Sequence, residues 1–145
     1  MKKLFLLFVF LLITVIISGN VYAQLSGDKS IPGDYSDISA AITALNSGGV
    51  GSGGVRFLVA ANHTENTTAQ LTITATGTSA NTITFQKNGS GSNPKITRTD
   101  AGSLSTSSVG GNGDAVIRMD GTDYITFDGI DLAASQSGIE YGYYT

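Results

Sequence analysis

The chain has 145 residues, a formal net charge of −3, 19 glycines, one histidine and no cysteine. Lack of cysteine excludes a disulfide framework, a thiolate metal centre and a cysteine nucleophile. Eight Lys/Arg against eleven Asp/Glu, with no basic pair beyond Lys2-Lys3, exclude the clustered positive patch that nucleic acid requires.

The N-terminus has the three parts of a secretory signal. Lys2 and Lys3 precede the uncharged apolar run Leu4 to Ile17, and Val21-Tyr22-Ala23 supplies small residues before a cut. A membrane-spanning helix needs about 20 apolar residues, more than this run offers. Residues 1–23 are therefore read as a cleaved signal peptide, which gives a secreted or cell-surface protein whose membrane contact ends with cleavage. Of the 122 residues that follow, 56 are Gly, Ser, Thr or Asn. So much Thr and Gly favours short strands and tight turns over a helical bundle.

Residues 24–34 show no apolar period and are expected to be an extended lead-in. Residues 35–54 hold a capping helix and a glycine-rich linker: Ile38, Ala41, Ile42 and Leu45 fall on one helical stripe. Ser36 is placed as the cap, Asp37 at the positive end of the helix dipole, and Ser47-Gly48-Gly49 ends the helix.

Residues 55–145 read as strands. Val55 to Val59 is a short apolar run, and Leu71 to Thr76 alternates apolar residues with threonine. Thr82 to Phe85 repeats that pattern, and Pro94 to Thr99 centres on Ile96. Ala101 to Asp114 is a Gly/Ser/Asn-rich insertion. Ala115 to Met119 is expected to turn Ala115, Ile117 and Met119 inward and Val116 and Arg118 outward. In Tyr124 to Leu132 the apolar parity changes at Asp128-Gly129, which marks a bend. Ile-Thr-Phe recurs at 83–85 and 125–127, and Ile73, Ile96 and Ile117 are spaced 23 and 21 apart. Both suggest a repeat near 21 residues, within the range of solenoids. An antiparallel sandwich shares the same short strands.

Several stretches together resemble the N-terminal region of large secreted surface proteins of Bacteroidetes-type bacteria, in the pectin-lyase-like class. They are Asp34-Tyr35-Ser36-Asp37-Ile38 with Ala40 to Asn46, Gly53-Gly54-Val55-Arg56-Phe57, Ser79 to Phe85, and Asp123 to Ile130. The resemblance implies an all-β fold, the start of a right-handed parallel β-helix behind a capping helix, truncated at Thr145. It departs at Ala60 to Thr64, where such proteins carry a proline-glycine-threonine-tyrosine turn.

Chemistry is sparse. His63, a lone turn histidine, is read as solvated, and no G-x-S-x-G elbow surrounds any serine. Asp120, Asp123, Asp128 and Asp131 are the clustered carboxylates. Asp120, Asp123 and Asp128 are calcium candidates, and a pair could serve as acid and base on a glycoside. The plainer reading is that they close strands and turns. Thr72, Thr74 and Thr76 resemble the flat faces of ice-binding solenoids, and Tyr141, Tyr143 and Tyr144 could stack on sugar. Asn62, Asn66 and Asn88 fit the glycosylation sequon.

The expected function is an exported, adhesin-like structural segment with no catalysis and no cofactor. The alternative is a polysaccharide-binding or polysaccharide-degrading module of lyase or glycosidase type. Expected partners are extracellular polysaccharide or a cell surface, with edge-to-edge self-association on exposed strands.

Overall fold

The computed structural model describes residues 23–102 and 113–145. The N-terminal run read as a signal peptide, up to Tyr22, and most of the Ala101–Asp114 insertion lie outside the described residues. In chain order the elements are β1 (Leu25–Ile31), α1 (Ile38–Gly48), β2 (Val50–Ala60), β3 (Thr64–Thr67), β4 (Leu71–Ile73) and β5 (Ile83–Asn88). They continue as β6 (Lys95–Arg98), β7 (Ala115–Met119), β8 (Ile125–Asp128), β9 (Asp131–Ala134) and β10 (Tyr141–Tyr144).

The strands form three small sheets, ordered β1-β2-β5-β8, β10-β7-β4 and β3-β6-β9, and every pairing is parallel. Parallel neighbours need long connections, so β1 and β2 are joined through α1, and from β2 onward successive strands go to different sheets. The turns do this work. Gly129, at φ 67, carries the chain from β8 in one sheet to β9 in another, at the predicted change of parity.

The expectation of an all-β, right-handed β-helical solenoid is corrected. The fold is mixed, with 10% helix and 46% strand in three small parallel sheets. Two physical reasons underlie the difference. First, α1 belongs to the core: Ile38, Ala41, Ile42 and Leu45 are buried in the same cluster as the strand residues. Second, the repeat near 21 residues does not exist. Ile96 lies opposite Glu65 and Leu132, whereas Ile73 lies opposite Met119, and Ile117 opposite Leu71 and Tyr143. Pairing offsets are irregular, from 25 residues for Leu25 and Val50 to 46 for Leu71 and Ile117. The 42-residue recurrence of Ile-Thr-Phe is a true register, because Ile83, Thr84 and Phe85 stand opposite Ile125, Thr126 and Phe127.

That register stacks like on like. Phe57 and Phe85 are fully buried, with ring centroids 4.5 Å apart, and Phe85 stacks on Phe127 at 5.2 Å with planes 10° apart. Tyr35 packs on Phe57 at 5.9 Å, and Tyr143 on Phe127 at 4.7 Å, which completes a column of five rings. Offset contacts of this kind are each worth about 0.5–1.5 kcal/mol beyond the area they bury. Close approach of β2 and β5 depends on Gly54. At φ 78, a Cβ there would meet the Thr82 carbonyl oxygen at 2.6 Å.

The lead-in at 24–34 contains a paired strand, with Leu25 and Ile31 as its buried ends. Helix α1 is capped by Asp37, which accepts from the Ala40 N–H at 2.7 Å, while Ser36 donates to Asp37 instead of capping. Its last turn closes where the Gly49 N–H donates to the Leu45 carbonyl. Strand β3 carries no large apolar residue and escaped the sequence pattern. Val116, expected outward, is buried along with Ala115 and Ile117. Arg98 is completely buried. Its guanidinium donates to both Asp100 oxygens at 2.7 Å and to the carbonyls of Gly113 and Ala115, joining β6 to β7.

Candidate functional site

The sheets end together on β8, β9 and β10, each with a strand neighbour on one side among the described residues. Asp128 closes β8, Gly129 turns the chain, and Asp131 opens β9, accepting from the Asn93 amide at 2.9 Å. Ile125, Phe127, Ile130 and Leu132 are half-buried against the core. Tyr143 ties β10 across this corner, its hydroxyl donating to the Ile130 carbonyl at 3.3 Å. Burial, helped by the negative charge of Asp131, pushes the Tyr143 phenol up to about 12. Tyr141 and Tyr144 lie 5.5 Å apart between ring centroids and are both more than a third exposed. A cleft of about 160 Å³ opens between β9 and β10, lined by Val116, Leu132, Ile139 and Tyr141 among others. Apolar rings, free strand edges and acidic corners meet on this one face.

The calcium candidates are not assembled into a site. Asp120 lies 3.4 Å from the Arg118 guanidinium. Asp123 is used through its backbone: its N–H donates to the Thr76 hydroxyl at 3.0 Å, and its carbonyl accepts from the Gly77 N–H at 3.0 Å. Asp128 is exposed at the end of β8, opposite Gln86. Among the described residues no three His, Cys, Asp or Glu side chains gather where they could hold a metal ion. The threonine ladder is also dispersed, because β4 stops at Ile73. Beyond it, Thr74 donates its backbone N–H to Asn46, and Thr76 accepts from Asp123.

His63 corrects the expectation of a solvated turn residue. Its side chain is 15% exposed, and its Nε2 lacks a hydrogen-bond partner and lies 3.9 Å from Glu65 Oε2. Glu65 went unnoticed in the sequence. From β3 its carboxylate accepts the N–H groups of Ile38 and Ser39, at 2.8 and 2.9 Å, in the first turn of α1. Those donors have no partner within the helix, and the helix dipole favours an anion there. Burial nevertheless dominates and raises the Glu65 pKa above its ordinary value. Glu65 anchors the helix to β3.

A second cleft, of about 260 Å³, lies on the outer face of the first sheet between Gly27, Gly53, Gly54, Arg56, Thr82 and Thr84. Arg56 donates to both oxygens of Asp28, at 3.0 and 2.7 Å, and both side chains are half-exposed. The Arg56 hydrogen bond holds the Asp28 carboxyl below its usual range. An exposed, solvent-screened pair of this kind adds little to stability.

Comparison with protein-family models, with curated proteins and with solved structures gives no match, so the resemblance to bacterial surface proteins rests on the quoted residues alone.

Proposed function

We propose that the chain is an exported structural segment, displayed at a cell surface or released, which acts by presenting a surface and not by catalysis. The observation that carries this reading is the ring column Tyr35–Phe57–Phe85–Phe127–Tyr143, which runs across the strands to an aromatic, acidic end face. Such a column stiffens the stacking direction and fixes the register of parallel strands, as a scaffold requires. Charged side chains are spent on the fold: Arg98 with Asp100, and Glu65 with the start of α1. The N-terminal Lys2 to Ala23 pattern supports export.

Expression of the full chain in a bacterium, with fractionation and N-terminal sequencing, tests export. The reading predicts extracellular product beginning at Gln24, and cytoplasmic product retaining Met1 would refute it. Incubation of that product with a panel of extracellular polysaccharides tests the second half. Unchanged reducing ends and unsaturated products at background level agree with it, whereas sustained release of either would replace it with the lyase or glycosidase alternative.

A further inference from the structure

An asparagine side chain can be attacked by the backbone nitrogen that follows it, and a fold can permit or block that reaction. The amide must be free, the next N–H unpaired, and the next residue small enough to let the ring close. Six asparagines lie among the described residues, and five of them are held away from this chemistry. Asn46 donates to the Thr72 carbonyl at 2.8 Å and accepts from the N–H groups of Thr74 and Ala75. Asn62 accepts from the Ser92 N–H at 2.9 Å, and Asn81 from the Gly53 N–H at 2.8 Å. Asn93 donates to Asp131 and precedes Pro94, whose nitrogen carries no hydrogen. Asn66 is exposed, but the next nitrogen belongs to Thr67, a buried β-branched residue paired opposite Arg98.

Asn88 is the exception. It is the exposed last residue of β5, opposite Ala60. Neither its side-chain amide nor the following Gly89 N–H has a hydrogen-bond partner among the described residues. Gly89 stands at φ 92, and nothing lies within 4 Å of the position a Cβ would take, so its nitrogen can swing toward the asparagine at little steric cost. One bond opposes that movement, from the Ala61 N–H to the Asn88 carbonyl at 2.8 Å, and it sits at the end of the ladder, where pairing opens most easily. We propose that Asn88 is a spontaneous modification site of the folded protein, where ring closure by the Gly89 nitrogen converts the side-chain amide to a carboxylate. The nitrogen gives its proton to water and attacks Cγ. The new N–Cγ bond forms, the Cγ–Nδ2 bond breaks, and Nδ2 leaves as ammonia, carrying a proton returned by water. Water then opens the cyclic imide. Addition at Cγ gives aspartate, and addition at the Asn88 main-chain carbonyl carbon gives isoaspartate, with the backbone rerouted through the side chain. No electrons are transferred, and water is the only co-reactant. Either product sets a negative charge beside Lys87, whose ammonium donates to the Gly91 carbonyl across the same turn.

Storage of the full chain at mildly alkaline pH, folded in buffer and unfolded in urea, tests this. Tryptic mapping by mass spectrometry, with fragmentation that separates aspartate from isoaspartate, reads each asparagine, and trypsin places Asn88 and the Asn112-Gly113 pair on different peptides. The ratio of folded to unfolded rates isolates the contribution of the fold from that of the Asn-Gly sequence. For Asn88 the folded rate should lie within about tenfold of the unfolded rate, and for Asn46, Asn62 and Asn81 it should be suppressed by more than about a hundredfold. Isoaspartate should be a product at residue 88. Gly89→Ala should slow the conversion at least about tenfold by crowding the nitrogen. Circular dichroism checks the fold, and Asn88→Gln, which keeps an amide but lengthens the ring to be closed, should stop the conversion where the alanine variant does not fold. Suppression at Asn88 as deep as at Asn62, or conversion to aspartate alone at a rate indifferent to these substitutions, would overturn the proposal.

Discussion

Phe85 is the middle ring of the column and the place where the packing account is most exposed to test. It is fully buried, stacked on Phe57 at 4.5 Å and on Phe127 at 5.2 Å. Phe85→Ala removes the side chain from a site closed on both sides by rings, so the cavity cannot collapse easily. Buried Phe→Ala changes cost about 3–5 kcal/mol, and the closed site places this one near the upper end. Against a typical stability of about 5–15 kcal/mol, that is a large fraction. Phe85→Leu keeps most of the apolar volume and loses the stacking, so about 1–2 kcal/mol is expected. Phe127→Ala should cost less than Phe85→Ala, because Phe127 is half-buried at the open end. Urea unfolding followed by circular dichroism measures all three. A double-mutant cycle of Phe57→Leu with Phe85→Leu should return a coupling of about 1 kcal/mol. A cost below about 1 kcal/mol for Phe85→Ala, or a coupling indistinguishable from zero, would refute the column as the element that fixes register.

Arg98→Ala should destabilise by roughly 3–5 kcal/mol, since it leaves Asp100 and two carbonyls without their buried donor; thermal denaturation checks this. Glu65 has a folded pKa above its unfolded 4.5, so its contribution is fully present below pH 4.5 and lost as pH rises through the folded value. Unfolding free energy measured across that window should fall with rising pH in the parent chain, and Glu65→Gln should flatten the slope. Tyr143, raised to about 12 from 10, likewise contributes stability that is present below pH 10 and lost towards pH 12. Its partial exposure reduces the effect to roughly 1–2 kcal/mol. Absorbance titration at alkaline pH should show one late phenol that Tyr143→Phe removes.

Where burial follows a simple period, the sequence was legible. The stripe Ile38, Ala41, Ile42 and Leu45 is buried as read, and the two Ile-Thr-Phe segments pair in register. The parity change at Asp128-Gly129 is a corner between sheets. What failed was the period itself. Ile73, Ile96 and Ile117 are evenly spaced in the chain but do not stand opposite one another, because loops of different length separate the strands. Strand β3 was invisible because its residues Thr64 to Thr67 are polar and its role is to aim Glu65 at α1. The cap shifted from Ser36 to Asp37 because the serine hydroxyl donates to that carboxylate. Apart from the tyrosines and acids, the end face could not be read, since edge status depends on the order of strands and not on any residue type.

The architecture rests on the parallel register that sets residues 25 to 46 apart opposite one another. The chain has no cysteine, so paired cysteines report on it cleanly. Thr84 and Thr126 are opposite partners on β5 and β8, facing away from the ring column. Neighbouring strands lie about 4.8 Å apart, within disulfide reach, whereas a displacement of two residues along the strand takes the pair to about 7–8 Å. Under mild oxidation Thr84→Cys/Thr126→Cys should cross-link nearly completely within the monomer, and Thr84→Cys/Asp128→Cys should do so poorly. Equal cross-linking of both pairs, or preference for the second, would contradict the register and the architecture built on it.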